Sequence, residues 1–223
     1  MILGVMLVKA TDDAQRALGS LKACCDDVFV NVDDTPGRWS VPEWQLRQPL
    51  VAEAARRKAD WAISLDADEW LTDPVALRQR LIAATPGTAS VWLRRYNLWG
   101  NGMLKMDWQC RVWRPQDGHI IERRWVGTAS CPNSVCSEGH CDHLAAHRCA
   151  IVHEGYKTPD ERARKALEYM KVDPLGLQIR RDMQHYLNSI TDAIPVPDHL
   201  EPLLWPPDPT SAKAGRTPPP PRS

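Results

Sequence analysis

Three carboxylates, Asp66, Asp68 and Glu69, stand within four positions at the end of an apolar run in WAISLDADEW. Like charges this close repel, so a chain that leads out of a core into such a turn needs a compensating cation. A hard divalent ion suits the task, because Mg²⁺ or Mn²⁺ takes one or two carboxylates together with phosphate oxygens of a substrate. Asp66 and Asp68 are spaced i, i+2, which on an extended backbone points both the same way. That spacing fits one ion and one phosphate-bearing ligand. It equally fits a solvated acidic turn leading into the next helix, with Asp73 nearby in a similar role.

The elements that must position these acids follow from hydrophobic periodicity. Residues 2–8 are a continuous apolar run, as in a strand covered on both faces. In TDDAQRALGSLKACC the residues Ala14, Ala17, Leu18 and Leu21 fall at i, i+3, i+4, i+7, which predicts an amphipathic helix capped by Thr11 or Asp12. DVFVNVDD reads as a second strand ending in Asp33 and Asp34, and TPGRWSVPEW, with Pro36, Gly37 and Pro42, as a loop. QPLVAEAARRKAD predicts a helix with Pro49 near its first turn, and WAISLD a third strand. TDPVALRQRLIAA predicts a helix capped by Thr72 or Asp73, with Pro74 in its first turn. This β-α-β-α-β-α order over the first 85 residues predicts an α/β fold, a mostly parallel central sheet flanked by helices. Ligands bind such sheets at the carboxyl ends of the strands. Asp33, Asp34, Asp66 and Asp68 would then gather at one edge.

The pattern changes in the second half. SVWLRRYNLW and CRVWRP read as strands joined by the polar GNGMLKMDWQ, and AIVHEGY as another strand. TPDERARKALEYMK carries a capping box, with Thr158 as cap, Pro159 first in the helix and Glu161 three residues after the cap. Arg162, Lys165 and Tyr169 share one stripe of this helix. Ala163, Ala166, Leu167 and Met170 form the adjoining apolar stripe, which is predicted to dock on the sheet. A further helix is predicted over 176–191. From Ile194 on, ten of 30 residues are Pro, so residues 194–223 are expected to form a disordered or extended tail.

Residues 131–153 concentrate soft and borderline ligands: Cys131, Cys136, His140, Cys141, His143, His147, Cys149 and His153. Four from Cys131 to Cys149 could make a tetrahedral structural Zn²⁺ site that staples an irregular loop. No C-x-x-C pair is present. A loop of free thiols and surface histidines, or a disulfide, therefore stays open.

Composition narrows the partners. The 28 Lys and Arg balance the 28 Asp and Glu, so bulk charge gives no reason to expect nucleic acid or an anionic membrane. With Trp at 10 and Phe at 1, indoles must fill core volume, or some stack on sugar or base faces. No apolar run approaches the ~18 residues of a membrane span. The opening MILGVMLVKATDD lacks a basic segment and a small-residue cleavage site, so it is expected to be a strand and not a signal peptide. Reduced thiols and a cytoplasmic location are the matching expectations.

Four stretches, in order over residues 2–173, resemble the family 2 glycosyltransferases. DVFVNVDDT resembles that family's second strand, ending in the acid that holds the nucleotide. EWQLRQPLVAEAARRKADWAISLDADEW resembles its block of aromatic, Arg-Asn, helix, Asp-Trp, strand and D-x-D-E, with Gln48 where that block has Asn. RRYNLWGNG followed by DWQCRVWRP resembles its acceptor-side strand pair, and IVHEGYKTPDERARKALEYM its closing His-x-Gly-Tyr block and helix. The resemblance implies a GT-A-like, Rossmann-like domain over 1–193, with 1–85 as nucleotide-binding half and 86–175 as acceptor and metal half. It implies metal-dependent transfer of a sugar from a nucleotide-sugar donor to an acceptor hydroxyl, with inversion, using Mn²⁺ or Mg²⁺. By matched position, Asp33 or Asp34 would contact the nucleoside, Asp66 ribose or metal, Asp68 the metal, and His153 the metal or the diphosphate. Arg47, Arg162, Lys165 and Tyr169 would serve the donor. Asp107 and Glu122 are candidates for the general base that inversion needs. Two other classes stay open. One is a haloacid-dehalogenase-like phosphatase, since ISLDADEW also has a strand followed by D-x-D, although 65 residues precede it. The other is a non-enzymatic, zinc-stapled binding module that uses Trp and the Pro-rich tail.

Overall fold

A computed structural model describes residues 1–10, 12–35, 41–100, 103–123, 131–136, 140–144, 148–155, 158–172 and 194–196. Nine strands and four α-helices lie among them: β1 (Ile2–Lys9), α1 (Gln15–Cys24), β2 (Asp27–Asp33), α2 (Glu43–Arg56), β3 (Trp61–Asp66), β4 (Glu69–Leu71), α3 (Pro74–Ile82), β5 (Thr88–Gly100), β6 (Met103–Trp113), β7 (His140–Leu144), β8 (Ala150–His153), α4 (Pro159–Val172) and β9 (Ile194–Pro195). The strands form one sheet in the order β2-β1-β3-β6-β5-β8-β4, with β7 also on β5 and β9 on β6. The first half is parallel as predicted: β1 pairs with β2 and β3 in the same direction. The second half is mixed. β6 runs antiparallel to both β3 and β5, whereas β7 and β8 run parallel to β5.

The alternating side chains of β1 and β3 build two cores. Ile2, Met6, Val8, Trp61, Ile63 and Leu65 face α1 and α3. Leu3, Val5 and Ala62 face α2, where Leu50, Val51 and Ala54 meet them. Pleating thus separates two apolar layers by one sheet.

One connection sets the shape of the site. β3 ends at Asp66 and β4 begins at Glu69, yet three strands separate them in the sheet order. Four strand spacings in a flat sheet amount to ~19 Å. Three Cα–Cα steps reach at most ~11 Å. The sheet must therefore curl until β4 returns to β3, and the two touch. The Asp66–Glu69 turn closes that curl.

Several boundaries differ from the sequence reading. α2 begins at Glu43, inside the predicted loop, so Pro49 sits within the helix and not near its start. That costs one backbone hydrogen bond but places Arg47 and Gln48 on helical backbone. α1 has Ala14 at its N-cap with no side-chain cap, because the Asp12 carboxylate instead accepts from the Lys9 N–H at 3.0 Å. β6 takes in most of the polar connector before it. β4 and β7 were not anticipated. The predicted tail is held at its start: Ile194 and Pro195 pair with Leu104 and Met103, and Val196 is buried. The predicted helix over 176–191 lies outside the described residues. Two caps match: Asp73 accepts from the Ala76 N–H with Pro74 first in α3. At α4 the Glu161 N–H donates to Thr158 Oγ1 at 3.1 Å, and the Thr158 N–H to Glu161 Oε2 at 2.8 Å. The apolar stripe of α4 does not dock as predicted. Ala166 is buried, but Ala163, Leu167 and Met170 are exposed, and the half-buried face is the one bearing Arg162, Lys165 and Tyr169.

Candidate active site at the carboxyl ends of β2 and β3

Asp66 and Asp68, so close in sequence, have separate surroundings. Asp66 Oδ1 lies 2.8 Å from Arg47, and Oδ2 2.9 Å from Arg111. Arg47 also pairs with Glu43 at 2.6 Å, Arg111 with Glu69 at 2.6 Å, and Arg95 with Glu69 and Asp107. This chain of alternating charge runs from α2 through the turn to β5 and β6. Burial opposes the charge on Asp66, yet Arg47 and Arg111 hold its carboxyl well below the usual carboxylate range. With a guanidinium on each oxygen, Asp66 fixes the turn. The Asp66 N–H also donates to Glu69 Oε2 at 3.1 Å.

Arg111 reaches this place through a β-bulge. Val91 pairs with Val112 but Trp92 with Cys110, leaving Arg111 as the extra residue on β6. A bulge re-aims a side chain out of strict alternation. Here it turns a guanidinium toward Asp66 and Glu69.

Asp68 belongs to a second cluster. Its Oδ2 lies 3.3 Å from His153 Nε2 and 3.3 Å from Lys165 Nζ. Burial works against its charge, and His153 and Lys165 hold the carboxyl well below the ordinary value. The Glu154 N–H donates to the Asp68 carbonyl at 3.0 Å, tying the turn to the end of β8. Gly155 then passes so close that an added Cβ would fall on Lys165 Nζ and Asp68 Oδ2, and 2.5 Å from His153 Nε2. Only a residue without a side chain leaves this cradle open. His153 Nδ1 lies 2.7 Å from Asn97 Oδ1, while the Asn97 amide nitrogen faces the Lys105 carbonyl. Nδ1 is then the donor, and Nε2 is left to face Asp68. A carboxylate and an imidazole nitrogen beside a cradle suit a borderline to hard divalent ion such as Mn²⁺. The Asn97 contact is the kind of outer partner that orients a ligating histidine. Among the described residues, no group of three or more His, Cys, Asp and Glu side chains is gathered as a ready-made metal centre.

The remaining sequence candidates are placed as follows. Asp33 is buried at the end of β2, two strands from Asp66 on the same edge, with Lys9 Nζ at 3.1 Å. Burial would raise its pKa, but Thr35 and Lys9 bring it below the usual value. Asp34 is exposed beside it. Arg47 is buried and engaged by Glu43 and Asp66, so it serves the turn. Arg162 donates to the Trp99 carbonyl at 3.1 Å and stacks over the Trp99 ring, which anchors α4. Tyr169 is half-buried on the same face. Asp107 is held bidentately by Arg95, at 3.0 and 2.6 Å. Glu122 follows a segment clamped by Gln48, whose amide donates to the His119 carbonyl and whose Oε1 accepts from the Ile121 N–H. Sequence reasoning missed Arg95, Arg111, Asn97 and Gly155. A charged residue between the apolar neighbours of CRVW, and a glycine directly after HE, were the available signals.

Two of the proposed zinc ligands lie apart. Cys131 is buried in the α2-side core and Cys149 in the opposite core, with the sheet between them. One ion cannot take both. His143 is exposed against the rings of Trp92 and Trp108, and Cys141 is half-buried. Cys136 and His140 fall in a 3₁₀ turn and in β7, and His147 lies outside the described residues. No helix among the described residues is long and apolar enough to cross a membrane. No family model and no curated protein sequence matches the chain.

Proposed function

We propose that this chain is a glycosyltransferase of the GT-A type, moving a sugar from a nucleotide-sugar donor to an acceptor hydroxyl with help from Mn²⁺ or Mg²⁺. The observation that carries the reading is the convergence of Asp68, His153 and Lys165 over Gly155 at the carboxyl edge of a parallel β2-β1-β3 unit. Strand-end acids alone would fit many proteins. A carboxylate, an imidazole and an ammonium around a side-chain-free cradle fit a cation and a diphosphate together.

Asp33, on the same edge, would contact the nucleoside. Asp68 and His153 would hold the ion, and Lys165 the diphosphate. When bound, the ion supplies charge that stabilises the leaving diphosphate. Lys165 adds to that stabilisation as negative charge grows on the leaving group. Asp66 is assigned to positioning and not to metal ligation, because both its oxygens are engaged by arginines. Of the two base candidates Glu122 is preferred for its place next to the segment that Gln48 clamps to α2.

Titration calorimetry of the full chain against uridine, guanosine and thymidine diphosphate sugars, each with Mn²⁺, tests the reading. One donor should bind, and Asp68→Ala should abolish the heat while the fold persists. Phosphate release from a generic phosphomonoester, with no nucleotide-sugar binding, would favour the phosphatase class and overturn the proposal.

A further inference from the structure

We propose that Lys165 is an exchangeable counter-ion, which holds Asp68 while no divalent cation is bound and passes to the donor diphosphate when the cation takes Asp68 and His153. This rests on the glycosyltransferase reading above and adds a regulated order of binding to it.

The argument begins with one oxygen. Asp68 Oδ2 is approached at 3.3 Å by both His153 Nε2 and Lys165 Nζ. A cation ligated by Asp68 and His153 must share that oxygen with the ammonium or displace it. Two cations on one carboxylate oxygen repel each other, so the Lys165 ammonium gives way to a metal at that point. His153 cannot yield, because β8 and the Asn97 contact fix its ring. Lys165 can. Its ammonium rides on a flexible four-carbon stem, and a compact point charge exchanges partners more readily than a planar guanidinium fork.

The helix that carries Lys165 allows the movement. Arg162, one turn earlier, pins α4 through the Trp99 carbonyl and ring. Among the described residues beyond that anchor on α4, Ala166 is buried, and Leu167 and Met170 are exposed. Arg162 therefore acts as a fixed point about which the Lys165 side chain swings. The departing ammonium moves toward whatever negative charge the bound cation brings with it. A nucleoside diphosphate supplies that charge and a bare metal ion does not. Metal and diphosphate should thus bind synergistically, with the metal alone bound weakly.

Calorimetry on the full chain with Mn²⁺ alone, and with inorganic pyrophosphate in the presence of Mn²⁺, tests this. If Lys165 holds Asp68 in roughly nine molecules of ten, its removal exposes the competent state and tightens metal binding about tenfold. Lys165→Met should therefore bind Mn²⁺ alone about tenfold more tightly than the parent, yet bind pyrophosphate with Mn²⁺ at least about tenfold more weakly. Lys165→Arg should keep the weak metal binding. Equal Mn²⁺ affinity in parent and Lys165→Met overturns the exchange, as does Mn²⁺ binding in neither. Pyrophosphate binding that needs Lys165 but not Mn²⁺ also overturns it, and would make the ammonium a permanent substitute for a metal. Failure of the underlying reading looks different: Asp68→Ala would then bind Mn²⁺ as the parent does. Circular dichroism and thermal unfolding of each variant confirm that the fold persists.

Discussion

Gly155 meets Asp68 at a distance that leaves no room for a methyl group between its backbone and the carboxylate. The same missing Cβ lets Lys165 Nζ and His153 Nε2 stand close to that backbone. Gly155→Ala should therefore act on the site more than on the fold. The backbone there requires no left-handed conformation, since Lys58 and Gly118 are the described residues with positive φ. The added methyl must push Lys165 aside or tilt Asp68 away from His153. We expect Mn²⁺-dependent donor binding to fall at least about tenfold, or ~1.4 kcal/mol, by calorimetry. Unchanged affinity would show that the cradle is not where the ligand sits.

Asp66 and Asp68 should separate cleanly in mutagenesis. Asp66→Asn leaves Arg47 and Arg111, both buried, with an incomplete partner. Breaking one member of a buried ionic cluster costs about 3 kcal/mol, read as a lower denaturant midpoint. Asp68 is 39% exposed and faces a lysine able to turn to water. Asp68→Asn should cost less stability than Asp66→Asn does while removing cation binding. The reverse ranking in urea unfolding would assign the roles the other way.

The contrast between these two acids marks the limit of what spacing could tell. D-x-D on an extended chain predicts two carboxylates with one task. The structure divides them because β4 begins at Glu69, which curls the turn and hands Asp66 to the arginines. β4 is three residues long, too short for any periodicity to announce. Local signals were legible where the physics is local: the apolar runs of β1 and β3, the Asp73 cap and the Thr158–Glu161 box all stand in the fold. Signals that depend on distant strands were not. Arg111 reads as an ordinary strand arginine until the bulge at Val91 and Trp92 turns it inward. Leu167 and Met170 read as a docking stripe, yet α4 is seated by Arg162 on Trp99 and by Lys165 on Asp68.

The depressed acids give the stability a definite pH dependence. Asp33, Asp66 and Asp68 all have folded-state values below the ordinary one. An unfolded carboxylate of this type titrates near ~3.9. A group depressed by folding contributes stability that is present above the unfolded value and lost as pH falls through the folded one. The denaturant midpoint should therefore hold steady from neutrality to about pH 5 and drop steeply below about pH 4. Because the Asp66 cluster is largely buried, moderate salt should soften this drop only slightly. A midpoint that stays level down to pH 3 would contradict the ion-pair arrangement.

The two base candidates can be told apart without knowing the acceptor, because water can accept the sugar slowly. Hydrolysis of the bound donor then reports the proton-transfer step. Asp107 spends both oxygens on Arg95 and one also on Gln109, so its carboxylate is poorly placed to take a further proton. The backbone just before Glu122 is clamped by Gln48, the neighbour of Arg47 on α2, which holds that segment on the Asp66 side of the sheet. Loss of a general base costs about 10²–10⁴-fold in rate. Glu122→Gln should show a loss in that range with donor affinity unchanged. Asp107→Asn should instead lower the unfolding midpoint by freeing Arg95, and leave the hydrolysis rate in place. If Asp107→Asn alone slows hydrolysis, the base is Asp107 and the Arg95 contact must open during turnover.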